Sequence, residues 1–277
     1  MTNPDRENVT ALAKPLFSER GAARLDTIVQ PNMLCVFDFD GTLAPIVEQP
    51  DQARLPAVVR ERLLALQRLA PVAILTGRAL GDIATRLDFK ADFMVGNHGL
   101  EGLPDSPRRS LGFEQDCTGW RIQLEQAFDD HVRYDPALLM ENKGISLSVH
   151  YRHAENQAKA QENLTQLFAT LTPPPRIIAG KCVFNLLPRA AGDKGTAFNE
   201  LMQLSGANTA IYVGDDVTDE DVFRLTRSDL LSIRIGEHTE SAAQFMVAGY
   251  SGILPLLDDL IARLAAFAQQ DRPTSQS

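Results

Sequence analysis

Two acidic clusters carry the strongest chemical signal in this sequence. The first is Asp38-Phe39-Asp40-Gly41-Thr42-Leu43, which follows the apolar run Met33-Leu34-Cys35-Val36-Phe37. Such a run reads as a buried parallel strand opening into a loop. Alternate residues of an extended segment point the same way, so Asp38 and Asp40 address one site. Gly41 lets the backbone turn sharply and approach a ligand. A turn with a solvated acid beside it would explain an isolated Asp-Gly. It explains two acids directly after a buried strand poorly. The second cluster is Gly214-Asp215-Asp216-Val217-Thr218-Asp219-Glu220-Asp221. Adjacent carboxylates repel unless a cation or hydrogen bonds compensate. Hard oxygen ligands suit Mg²⁺, which keeps waters and accepts substrate phosphate. Asp219 to Asp221 have an ordinary explanation as first-turn acids of a helix. Asp215, at a strand tip, does not.

Two weaker signals complete a set. Thr76-Gly77-Arg78 ends the run Val72-Ala73-Ile74-Leu75, where the Thr hydroxyl and nearby amides are placed to hold a phosphate oxygen. Alone, this is equally a plain turn. Lys194, in Gly192-Asp193-Lys194-Gly195, sits at a helix start. A cation there opposes the helix dipole, so its placement makes sense facing an anion. A nucleophile, a second acid, an anion-binding hydroxyl, a lysine and metal carboxylates are the parts of aspartyl-phosphate chemistry.

The elements that must position these residues alternate. Strands are expected at 33–39, 72–75 and 93–96, with a helix from Pro56 that turns Val59, Leu63 and Leu66 inward, and a short helix ending near Leu87. This is the α/β rhythm of a Rossmann-like, doubly wound parallel sheet. It breaks near 104–110. A long amphipathic helix follows, with Trp120, Leu124 and Phe128 four apart, then strands at 138–141 and 145–151. A helix at 154–171 ends at Thr172-Pro173-Pro174-Pro175, and strands at 176–179 and 182–187 follow. The first rhythm then returns: a helix from Lys194, strands at 210–213 and 230–235 with a helix between, and a helix at 252–268. The expected organisation is an α/β core of residues 1–111 and 188–277, into which an α+β cap of residues 112–187 is inserted. The tail 269–277 is expected to fray.

Bulk properties exclude some classes. A chain of 277 residues with 44% hydrophobic and 23% charged residues can bury a sizeable core. Its net charge of −9 and lack of a basic run argue against nucleic acid and anionic membranes as partners. Cys35, Cys117 and Cys182 are odd in number and widely spaced, as free thiols in a reducing compartment would be. No segment approaches the roughly 18 apolar residues of a membrane span, and residues 1–30 lack a secretory pattern, so a cytoplasmic location is expected. A monomer is the favoured state.

The four motifs, in this order, resemble those of the haloacid dehalogenase superfamily of phosphatases across residues 33–103 and 188–260. The resemblance implies Asp38 as nucleophile, Asp40 as general acid/base, Thr76 as a phosphoryl contact and Lys194 as the charge stabiliser. It implies Mg²⁺ held by Asp38, the backbone carbonyl of Asp40 and Asp215, with Asp216 assisting through water. Gly96-Asn97-His98-Gly99-Leu100-Glu101 and the extended 214–223 motif are similar to those of trehalose-6-phosphate phosphatases. So are Glu141-Asn142-Lys143-Gly144, His150-Tyr151-Arg152 and Gly180-Lys181 in the insert. This narrower resemblance implies a sugar-phosphate substrate, trehalose 6-phosphate, touched by Gly77, Arg78, Asn97, His98, Glu141, Lys143 and Asn185. Asn185 stands where the resemblance expects a glutamate. An amide still hydrogen-bonds a hydroxyl but carries no charge, which keeps sucrose phosphate or a glucosylglycerol phosphate open as the substrate.

Overall fold

The structure is a computed structural model that describes residues 14–104 and 106–270. The elements of the first half are β1 (Lys14–Pro15), α1 (Glu19–Ile28), β2 (Met33–Phe37), α2 (Ala57–Gln67), β3 (Val72–Leu75), α3 (Leu80–Leu87) and β4 (Phe93–Val95). Then come α4 (Ser106–Phe128), β5 (Leu139–Asn142), β6 (Leu147–His150), α5 (Gln157–Phe168), β7 (Arg176–Gly180) and β8 (Val183–Leu187). The chain continues through α6 (Lys194–Ser205), β9 (Thr209–Gly214), α7 (Glu220–Phe223), β10 (Leu230–Ile235), β11 (Phe245–Val247) and α8 (Ile253–Gln270).

Seven strands form a parallel sheet in the order β1-β11-β10-β9-β2-β3-β4. Its strands β2 and β3 are apolar throughout because both faces are covered. Met33, Cys35 and Phe37 of β2 pack with Ile211 and Val213 of β9 against α1, α2, α3 and α8. Leu34 and Val36 pack with Ala210 and Tyr212 on the opposite face, against Phe198 and Leu201 of α6 and Val222 and Phe223 of α7. From β2 the chain winds outward one way to β3 and β4, and from β9 the other way to β10 and β11. The neighbours β2 and β9 therefore flank the point where the winding reverses, and open α/β sheets bind ligands there, beyond the carboxyl ends of the strands.

A separate antiparallel sheet, β5-β6-β8-β7, has its own core. Trp120 and Leu124 of α4 and Leu164 and Phe168 of α5 pack on Leu147, Val149, Phe184 and Leu186. Glu141, Ser148, His150, Asn185 and Arg176 lie at positions that alternate with these, on the sheet's other face.

The architecture matches the expected α/β core with an α+β sheet unit. Three details differ. Helix α4 begins at Ser106 rather than near 112, since Ser106 turns the chain by accepting a hydrogen bond from the Leu103 amide (3.1 Å). Cys182 lies outside a strand, in the turn before β8 with φ 59°. Elements β1, α1 and β11 were not expected. The tail beyond 270 lies outside the described residues. No described helix is long and apolar enough to cross a membrane.

Candidate active site

Asp38 extends β2 by one residue, its amide donating to the Val213 carbonyl of β9 (2.9 Å). That bond fixes the first acid beside the strand that carries the second. The chain then reverses tightly: the amides of Leu43 and Ala44 both donate to the Phe39 carbonyl (2.9 Å each). Gly41 adopts φ 79° at this reversal, and a Cβ there would lie 2.0 Å from an Asp215 oxygen. The turn thus brings backbone against the second acidic loop, which a side chain would push away.

Three carboxylates converge. Oxygens of Asp38, Asp215 and Asp219 all lie within 4.8 Å of one another. Lys194, the first residue of α6, donates to Asp38 (2.9 Å) and to Asp219 (2.7 Å), and is 2% exposed. Asp219 is fully buried. One of its oxygens also accepts from the Tyr212 hydroxyl (2.6 Å), and the other takes the amides of Asp215 (2.8 Å) and Asp216 (2.9 Å). Thr42 donates to Asp215 at 3.3 Å.

The cluster carries more negative charge than its lysine offsets. Burial, then the nearby Asp219 and Asp215 carboxylates, push the Asp38 carboxyl well above its ordinary range despite Lys194. Burial, then Asp219 and Asp216, push Asp215 up to about 7. Burial opposes the charge on Lys194, but Asp219 and Asp38 more than offset it and raise its pKa. Three crowded carboxylates, two of which bind protons more tightly than usual for want of positive charge, fit a hard divalent cation.

Around this centre stand the remaining expected residues. The Thr76 hydroxyl accepts from the Arg78 amide (3.2 Å), so its own proton is free to point outward. Gly77 leaves room for His98, since a Cβ on it would lie 2.4 Å from the imidazole. His98 is buried, its Nδ1 has no hydrogen-bond partner, and burial with Lys143, Lys194 and Arg176 nearby holds it neutral by lowering its pKa. Arg78 grips Asp40 with two bonds (2.6 and 2.7 Å) and Asp82 with another (2.8 Å). The second sheet reaches in through Lys143, which donates to the Gly77 carbonyl (3.3 Å). Burial lowers the Lys143 pKa. Glu141 pairs with His150 (3.2 Å), whose hydrogen bond keeps its carboxyl low. Asn185 accepts from Ser148 (2.6 Å).

Two expected residues stand apart. Asp216 is exposed and outside the carboxylate cluster. Asn97 spends its amide within the protein, accepting from Ser146 and donating to Glu101 (3.2 Å). Asp219, which was not expected at the site, joins the cluster, whereas Asp216 was expected to assist only through water. The signal for Asp219 was its spacing of four from Asp215, which folds it back beneath the loop.

Comparison with known proteins agrees with this geometry. The family described as Trehalose-phosphatase matches residues 36–247. A trehalose-phosphate phosphatase of Mycobacterium avium is 32% identical over 197 residues, covering 69% of this chain and 50% of that protein. The chain thus spans about half the length of that curated relative. Two solved structures share the fold. One is the C-terminal domain of the Candida albicans trehalose-6-phosphate phosphatase, with TM-score 0.68, 19% identity and coverage of 91% of this chain and 98% of that one. The other is a trehalose-6-phosphate phosphatase related protein, with TM-score 0.66, 24% identity and coverage of 86% and 100%.

Proposed function

We propose that this chain, which belongs to the trehalose-phosphatase family, hydrolyses trehalose 6-phosphate to trehalose and phosphate in the cytoplasm. The observation that carries this reading is the meeting of Asp38 and Asp215, from the tips of neighbouring strands, over a buried lysine. The donor set suits Mg²⁺, held by Asp38 and Asp215 with Asp219 beside them. Bound there, the ion would neutralise charge between the carboxylates and the phosphoryl oxygens.

The chain's own groups account for the rest. An Asp38 oxygen forms a bond to phosphorus as the bond from phosphorus to the sugar oxygen breaks. Asp40 gives its proton to that leaving oxygen, then takes one from the water that attacks the aspartyl-phosphate and frees phosphate and Asp38. Asp40 must exchange Arg78 for the leaving group to do so. Lys194, the Thr76 hydroxyl and the amides after Asp38 stabilise the equatorial oxygens. Residues 112–187, taken as a cap, face the site with Glu141, Lys143 and Asn185, and these groups suit sugar hydroxyls. The neutral Asn185, already engaged by Ser148, supports a second reading in which the leaving group is another glycosyl unit, as in sucrose phosphate or glucosylglycerol phosphate.

Phosphate release from a panel of these esters, with Mg²⁺ and then with EDTA, tests the reading. Fastest turnover of trehalose 6-phosphate, lost in chelator and restored by Mg²⁺, is expected. Preference for another ester would move the assignment to it, and full activity in chelator would remove the metal.

A further inference from the structure

Arg234 and Glu220 form a buried ion pair that the chemistry above does not use. Arg234 is 7% and Glu220 5% exposed. Arg234 lies near the end of β10, in register with Gly214 at the end of β9, so its side chain starts beside the loop that delivers Asp215. One guanidinium nitrogen donates to the Asp215 carbonyl. Another donates to the Asp216 carbonyl (3.3 Å) and to Glu220 (3.3 Å). The second Glu220 oxygen accepts the Ala242 amide (2.8 Å), which anchors the pair to the segment before β11.

The two peptide units at Asp215 and Asp216 are therefore held on both polar sides. Their amides meet one Asp219 oxygen and their carbonyls meet one guanidinium. A loop with every polar backbone group satisfied by a buried, oriented partner has little freedom to turn its side chains elsewhere. Yet a guanidinium this close to a cation site is electrostatically adverse. A cation is tolerated there only where its geometric contribution exceeds that repulsion, and Glu220 reduces the repulsion by pairing with it.

We propose that Arg234, held by Glu220, is a positioning residue for the divalent-cation site: by clamping the carbonyls of Asp215 and Asp216 it fixes the Asp215 carboxylate toward Asp38, and its net effect is to tighten cation binding despite its own positive charge. This rests on the Mg²⁺ reading of the Asp38–Asp215 cluster. The two contributions have opposite signs, which makes the proposal testable. If charge dominates, removing Arg234 strengthens Mg²⁺ binding. If geometry dominates, removing it weakens Mg²⁺ binding.

The test measures Mg²⁺ binding to the full chain without substrate, by calorimetry and by the thermal shift on adding Mg²⁺, alongside turnover against Mg²⁺ concentration. Arg234→Lys keeps the charge and loses the planar fork. It is expected to raise the Mg²⁺ dissociation constant about ten-fold, the range seen when groups supporting metal ligands are removed. The Mg²⁺ needed for half-maximal turnover should rise in parallel, while KM for the sugar phosphate changes little. Arg234→Met should also weaken binding. If it does not fold, because Glu220 loses its buried guanidinium partner, combining it with Glu220→Gln removes both charges and serves instead. A lower melting temperature with unchanged Mg²⁺ affinity would mean a merely structural role and would overturn the proposal, as would tighter binding in any folded variant. A wild-type chain that binds no divalent cation would overturn the metal reading as well, so the two failures are distinguishable.

Discussion

Asp38 is an unfavourable residue in the cation-free protein: it is buried, and two more carboxylates lie within 4.8 Å. Asp38→Asn is therefore expected to cut turnover by about 10³-fold or more while leaving the cation-free protein no less stable than wild type. Stability loss matching the activity loss would instead mark Asp38 as structural. The same crowding sets a pH dependence. Asp38 and Asp215 hold protons more tightly folded than unfolded, Asp215 up to about 7. Between the ordinary carboxylate range and that value the folded chain binds more protons, so stability falls as pH rises. The melting temperature in EDTA should drop from about pH 5 to about pH 7.5, and Mg²⁺ should raise it most at the upper end, where the carboxylates are ionised. A flat profile in EDTA would contradict the crowding. At this scale the sequence displayed Asp38, Asp215 and Lys194 clearly, because an acid at a buried strand tip and a lysine at a helix start have poor alternative explanations. It concealed Asp219, because an acid in the first turn of a helix is already explained by the dipole. It also concealed the Arg78–Asp40 pair, since spacing along the chain says nothing of which side chain meets which across the sheet.

The elements place these residues by a few close approaches. Helix α6 must bring Lys194 over the ends of β2 and β9. It starts with Asp193 accepting the Thr196 amide (2.7 Å), and Gly195 lets its first turn approach the acidic loop. A Cβ on Gly195 would lie 2.4 Å from the Asp221 carbonyl, a backbone atom that cannot swing aside. Gly195→Ala should thus cost about 1–3 kcal/mol of stability, as overpacking does, and should lower kcat more than KM because Lys194 moves with the helix. Wild-type kcat in that variant would show that the helix start tolerates displacement. The central strands were legible in sequence because both faces are buried and their residues are mostly apolar. The outer strands β1 and β11 were not: two or three residues show no periodicity, and β1 gains its identity from pairing with Phe245 and Met246. Helix α1 was missed for a related reason. Only Gly21, Leu25 and Ile28 of its ten residues are buried, so its apolar face is thin.

In the proposed reaction the whole molecule divides two tasks between two sheets. Asp38, Asp215 and Lys194 at the ends of the parallel sheet would handle the phosphoryl unit. The antiparallel sheet buries one face on α4 and α5 and turns Glu141, Ser148, His150 and Asn185 outward on the other. Its Lys143 already touches the phosphate-side loop at Gly77. With a net charge of −9 the molecule repels anions at long range, so the proposed reaction asks local cations such as Lys143 to help receive the ester. These roles separate by substrate. For Glu141→Gln and Lys143→Ala, kcat/KM for trehalose 6-phosphate should fall about ten-fold or more, the scale of losing a charged hydrogen bond to a substrate. Hydrolysis of p-nitrophenyl phosphate, which has no sugar hydroxyls, should fall less in Glu141→Gln, since the proposed reading gives that residue contact with the sugar alone. Lys143→Ala should affect both esters to some degree, because its charge also faces the phosphoryl side. Equal losses on both esters in Glu141→Gln would place the second sheet in phosphoryl chemistry or in folding rather than in sugar recognition. Such an outcome would leave the identity of the leaving group to residues of the parallel-sheet core.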